Sequence, residues 1–174
     1  MAKLYSLLCF LAFSISYAQP PVMKLSQGGY EPVEVSIPAT GNDKLIELTK
    51  SWALERERRD PDRGKRSDIT EVTDNSITVS GYRRNAFFYR NLGETFEHRI
   101  DYSIKLIFKE NSYTLAFTVT QIYTDSDVAV KSGLADYFTP DGTLKEGYTA
   151  LDTSLNKTVN EMVQSHYNFI INHR

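Results

Sequence analysis

The sequence predicts a two-layer α+β domain, an antiparallel sheet with two helices on one face, in the order β-α-β-β-β-β-α. Two observations carry this expectation. Residues 45–53 and 151–170 repeat apolar side chains at helical spacing, and residues 102–119 alternate apolar and polar on both sides of a turn. An amphipathic helix must bury its stripe and an alternating sheet must bury one face, so the two shield each other.

The chain opens with Lys3, an apolar run from Leu4 to Ile15, and Ser16-Tyr17-Ala18. This is the layout of a secretory signal peptide over residues 1–18, with cleavage between Ala18 and Gln19. The apolar run is shorter than the roughly 20 residues a bilayer span needs, although an uncleaved anchor is the competing reading. Residues 19–32, with Pro20, Pro21, Gly28 and Gly29, show no periodicity and read as a flexible tether. A single domain is expected over 33–174. It begins with a short half-buried strand, Val33–Ile37, ended by Pro38.

Asn42 or Asp43 then opens a helix whose stripe is Leu45, Ile46, Leu48, Thr49, Trp52 and Ala53, and Pro61 ends it. Arg56–Arg66 is a basic loop with interleaved acids. Ile69–Thr73 and Ser76–Ser80 read as strands joined at Asp74-Asn75, a pair that tolerates left-handed backbone. Gly81 predicts a bulge, and the strand resumes through Tyr82–Tyr89 until Gly93 breaks it.

The next hairpin has its register written in the sequence. With a tip at Glu110-Asn111, Phe108 faces Tyr113, Leu106 faces Leu115, Ile104 faces Phe117 and Tyr102 faces Val119. A one-residue slip would set apolar against polar throughout. Residues 124–149 carry turn signals and little pattern, with a short helical turn near Leu134–Phe138; a loop this long should wrap the body or move. A C-terminal helix over about 150–172 presents Leu151, Leu155, Val159, Met162, Val163, His166 and Ile170 on one face.

These elements bear a family likeness. Val33-Glu34-Val35 before a capped helix with Trp52, then Ile77-Thr78-Val79-Ser80-Gly81, Tyr102-Ser103-Ile104-Lys105-Leu106 and Tyr113-Thr114-Leu115, resembles a family of small exported bacterial domains. That family is a domain of unknown function with a TATA-binding-protein-like (TBP-like) fold, and the resemblance covers about 33–123. It implies the TBP-like fold and no activity. The fold name does not imply DNA binding, because function lives in sites.

The 20 Lys and Arg against 22 Asp and Glu give a net charge of −2, and losing Lys3 with the leader makes the balance more acidic. That excludes the basic excess usual in nucleic-acid binders. Cys9, the single cysteine, lies in the leader, so the mature chain has no disulfide, thiol nucleophile or thiolate ligand. No cofactor motif, Gly-x-Ser-x-Gly elbow or phosphate loop is present, and no cofactor is expected. No second apolar run is long enough to span a membrane.

Candidate sites are few. His166 and His173 share a helix face, but a packed imidazole and a partner for the helix dipole explain them without a metal; His98 is the third histidine left. Asp125-Ser126-Asp127 lacks the glycine and glutamate of a calcium loop and reads as a turn. Asn156-Lys157-Thr158 matches a glycosylation sequon but falls within the predicted helix. The aromatic-basic stretch is more informative. Adjacent strand residues point to opposite faces, so Phe87 and Phe88 cannot both enter one core layer. One of them should lie beside an arginine on the solvent face, making Tyr82, Arg84, Phe87 and Phe88 a candidate binding patch; coverage by residues 123–148 is the alternative. The expectation is an exported binding or accessory module without chemistry of its own, periplasmic or secreted. Its partner would be an envelope protein or an anionic surface ligand. A small carboxylate-dependent hydrolase, or a subunit of an envelope assembly pairing through Val33–Ile37, are the alternatives.

Overall fold

A computed structural model of the chain describes residues 19–59 and 68–174. The expected leader and most of the basic loop lie outside the described residues. Strands β1 (Leu25–Ser26), β2 (Gly29–Tyr30) and β3 (Val33–Ser36) precede helix α1 (Asn42–Arg59). Strands β4 (Asp68–Val72), β5 (Ser76–Asn91), β6 (Glu94–Phe108), β7 (Ser112–Thr124) and β8 (Ala129–Val130) follow, then a 3-10 turn (Leu134–Tyr137) and helix α2 (Leu151–His173). The main sheet runs β3-β7-β6-β5-β4, every pairing antiparallel, with β8 added beside β7. Both helices pack on one face, which is the α+β architecture the sequence dictates.

The central hairpin has the register that the alternation demands: Phe108 opposes Tyr113, Leu106 opposes Leu115, Ile104 opposes Phe117 and Tyr102 opposes Val119. Those pairs, with Ile77 and Val79 from β5, form the floor of the core. Every member of the α1 stripe from Leu45 to Ala53 is buried, as is every member of the α2 stripe from Leu151 to Ile170. The opposite sheet face is polar. There Lys105 reaches Glu71 at 3.4 Å and Lys109 reaches Glu34 at 3.0 Å.

His166 is the polar centre of the core. Its Nε2 lies 3.1 Å from Thr49 Oγ1, and its Nδ1 lies 3.1 Å from the Tyr113 hydroxyl. Thr49 donates its own proton to the Leu45 carbonyl, so it must accept from Nε2–H. Nδ1 then accepts from Tyr113, and a neutral imidazole satisfies every partner. Burial, with the Arg56 charge adding to it, pushes the His166 pKa down to about 3. This histidine joins α1, α2 and β7.

Two local expectations are corrected, and for residues 124–149 the structure takes the wrapped alternative. The segment expected to be a loose tether carries the β1–β2 hairpin, and Met23 is fully buried. The reason is amide chemistry on α2. Asn160 accepts the Met23 N–H and donates to the Met23 carbonyl, both at 2.8 Å, while Asn156 accepts the Leu25 N–H at 2.8 Å. The bulge expected at Gly81 lies further on, between Arg83 and Phe87, where Asn85 has φ 47°. Gly81 stays in register opposite Tyr102 because the tyrosine ring crosses over it; a Cβ there would stand 2.6 Å from the hydroxyl oxygen. The 124–149 segment also has more order than its sequence shows: β8 pairs with β7, and the 3-10 turn falls where the helical turn was expected.

Candidate functional site

The bulge in β5 shapes the only segment where that strand leaves its partner β4 and meets helix α2 along its free edge, among the described residues. The Ser154 hydroxyl donates to the Phe88 carbonyl at 2.9 Å and accepts the Phe88 N–H at 3.1 Å. Arg90 N–H donates to the Thr149 carbonyl at 2.9 Å. These bonds satisfy edge groups that would otherwise invite another strand. Between the bulge and the first turns of α2 they leave a cleft of about 460 Å³.

The four residues expected as one patch are divided. Tyr82 points to the polar sheet face, is buried, and donates its hydroxyl to Asp127 at 2.6 Å. Arg99 ties Asp125 at 3.1 Å and Asp127 at 2.9 Å, so the Asp125–Asp127 turn is clamped by side chains over Tyr82. Phe87 points to the helix face and is buried, stacked on His98 with centroids 4.8 Å apart. Tyr137 and Tyr148 close over the same end of the sheet, with Tyr89 4.9 Å from Tyr148. The 124–149 segment therefore packs over Phe87 on the helix face, whereas Phe88 is the aromatic sent to the other face. Strand alternation separates Tyr82 from Phe87, so no single exposed face can present both. Arg84 is exposed on the bulge, and Phe88 is half-buried with the Arg90 guanidinium 5.7 Å from its ring centre.

The cleft gathers Phe87 and Phe88 with residues that sequence reasoning passed over: Arg83, Thr153, Lys157 and Glu161. Arg83 is the unusual one. It pairs with Ile100 on the helix side of the sheet, and its side chain is 20% exposed. Its Nε has no hydrogen-bond partner, and its one charge contact is Glu161 at 4.0 Å, among the described residues. A buried donor without an acceptor costs about 1–3 kcal/mol. A second guanidinium stands near: the Arg83 charge, after burial, helps to lower the pKa of Arg56. One hint in the sequence was Tyr82-Arg83-Arg84. Arg83 alternates in phase with Ile77, Val79 and Gly81, so strand periodicity carried it to the helix side, a signal that the sequence reading did not use.

The remaining titratable groups are accounted for by structure. Burial lowers His98, against a hydrogen bond to the Phe96 carbonyl. Tyr123 is pushed up to about 12 by its hydrogen bond to Asp101, and Tyr137 to about 12 by burial. His173 bonds the Phe169 carbonyl one turn back and stacks on its ring. No group of three or more His, Cys, Asp or Glu is placed to hold a metal, and no helix is long and apolar enough to cross a membrane, among the described residues.

Sheet order, helix placement and the two-layer build define an α+β protein of the TBP-like class. Two solved structures share it. One is a DUF4468 family protein from Bacteroides ovatus, with a TM-score of 0.55 at 13% identity over 80% of this chain and 82% of that one. The other is a TBP-like protein from Parabacteroides distasonis, with a TM-score of 0.54 at 14% identity over 80% of this chain and 90% of that one. At such identities the likeness is one of fold. No family model matches the sequence, and no curated protein does.

Proposed function

We propose that this protein is an exported binding module, without chemistry of its own, whose working surface is the cleft between the β5 bulge and α2. The observation that carries the reading is Arg83, a half-buried cation whose Nε has no hydrogen-bond partner among the described residues, beside Phe88. Arginine next to aromatic side chains is the composition of recognition surfaces. Export rests on the leader-like residues 1–18 and places the partner in the envelope or outside the cell.

The test is a panel of small ions, sugars and peptides followed by amide shifts in the ¹⁵N-labelled protein. Saturable shifts should cluster on residues 83–88 and 150–161. Saturable shifts confined to other surfaces, or none across the panel, would overturn the reading. N-terminal sequencing of protein recovered from cell fractions tests the export step, with Gln19 expected as the first residue.

A second reading has one observation in its favour. Asp68 and Asp101 line a shallow cleft on the polar face of the sheet, and a carboxylate-dependent hydrolase would need such a pair. Asp101 already accepts the Tyr123 hydroxyl at 2.6 Å. Hydrolysis of an ester or glycoside that disappears in both Asp68→Asn and Asp101→Asn would favour the enzyme.

A further inference from the structure

The β5–α2 cleft has a charge balance and a wall chemistry that narrow its ligand. Its charged side chains are Arg83, Lys157 and Glu161, two positive and one negative. The balance of +1 matches a monoanion. A dianion would leave an excess negative charge against Glu161. Phe88 and Ala150, each half-buried, supply an apolar wall beside these charges, backed by the buried Ala86 and Phe87. The Thr153 and Ser154 hydroxyls at the same mouth are already engaged, by Asp152 and by the Phe88 backbone, and leave the charged groups to decide the ligand.

Two features favour an anion over a cation here. The first is the guanidinium of Arg83, which has only the distant Glu161 as a partner, and whose planar fork is shaped for a carboxylate. The second is the start of α2. Its N-cap is Ala150, which has no capping side chain; the Leu151 and Ser154 N–H groups bond the Tyr148 and Ala150 carbonyls, and the positive end of the 23-residue helix faces the same region. Asp152 offsets part of that potential, bonding Thr153 N–H at 2.7 Å. Lys157 lies on the same stretch of helix, exposed and without an ion pair among the described residues.

From these observations, and resting on the binding reading above, we propose that the cleft takes a small monocarboxylate with an apolar tail. The carboxylate sits on Arg83 and Lys157, and the tail lies against Phe88 and Ala150. No bond is made or broken. The carboxylate gives the Arg83 guanidinium a nearer acceptor than Glu161 at 4.0 Å, and the ligand is held by charge-assisted contacts to Arg83 and Lys157 and by one apolar contact.

The experiment titrates the ¹⁵N-labelled protein with octanoate, kept below its micellar concentration. Acetate serves as the charge without the tail, octanol as the tail without the charge, and octyl phosphate as the dianion. Octanoate should shift the amides of 83–88 and 150–158 saturably, at least tenfold more tightly than the other three. Arg83→Met should weaken octanoate at least tenfold, and Lys157→Met at least threefold. Lys157 is exposed, so that variant keeps its fold if Arg83→Met does not. The proposal is overturned if octanoate leaves these amides unmoved, if octanol or octyl phosphate binds as tightly, or if Lys157→Met binds octanoate unchanged. Tight octanol or octyl phosphate binding in the cleft would end the monocarboxylate assignment and leave the binding module standing. A cleft silent to the whole ligand panel would end both.

Discussion

Acidification should unfold this protein through His166. The imidazole is enclosed, its two nitrogens are already committed to Thr49 and Tyr113, and the nearby Arg56 charge opposes a second positive charge. Its pKa is about 3 in the fold, against 6.5 for an ordinary histidine. A depressed pKa means that the unfolded chain binds the proton first. The stability tied to the neutral ring is therefore fully present above pH 6.5 and is lost as pH falls from there toward 3. Between pH 7.5 and 5 the loss is about 2 kcal/mol, and the whole window is worth on the order of 5 kcal/mol. Protonation would also force Nδ1 to become a donor facing the Tyr113 hydroxyl, which would have to turn away. His166→Gln keeps one donor and one acceptor and cannot titrate. Urea unfolding of both proteins at pH 7.5, 6.5 and 5.5, and near 5, isolates the term. His98, also lowered by burial, acts in the same direction and is common to both proteins. The gap between wild type and variant should close by about 2 kcal/mol across this range. A gap independent of pH, or a His166 that titrates near 6.5 by NMR in the folded protein, would refute the reasoning.

Other perturbations follow from local geometry. Gly81→Ala puts a Cβ 2.6 Å from the Tyr102 hydroxyl, and that ring is pinned by stacking on Phe117 at 5.5 Å. It should cost about 1–3 kcal/mol in chemical denaturation, and adding Tyr102→Leu should recover part of the loss non-additively. Ala150→Gly relieves a left-handed alanine at φ 71° and should stabilise by about 1 kcal/mol, read as a higher urea midpoint. Ser154→Ala strips both backbone bonds from Phe88 and should cost about 1–2 kcal/mol, with faster hydrogen exchange at the Phe88 amide than elsewhere in β5. Tyr137→Ala should raise exchange across 131–149 while leaving β7 and α1 protected, because that tyrosine anchors the segment on Phe87 and Tyr148.

Periodicity made the core legible and left the cleft hidden, and the difference is physical. Leu106 opposite Leu115, and the stripe from Leu45 to Ala53, are fixed by rules of spacing that every strand and helix obeys, so a sequence states them directly. The tether was misread because its anchor is not apolar. Asn156 and Asn160 hold the backbone of Met23 and Leu25 from 131 to 137 residues away, and no local pattern encodes a distant amide. The patch was misread for a different reason. Alternation correctly sends Phe87 and Phe88 to different faces, but it cannot say that Tyr137 and Tyr148 return to cover one of them. Alternation with Ile77 and Val79 did put Arg83 beneath the helices, but it could not foresee the bulge between Arg83 and Phe87 that opens a cleft beside it. Arg83 is half-buried, with a long ion pair to Glu161 and a buried Nε that no described residue accepts from, a departure from the rule that buried polar groups are hydrogen-bonded. Departures of that kind gather where a fold has been fitted to something besides itself, which is why this residue, and not the more conspicuous aromatics, is the place to look for a ligand.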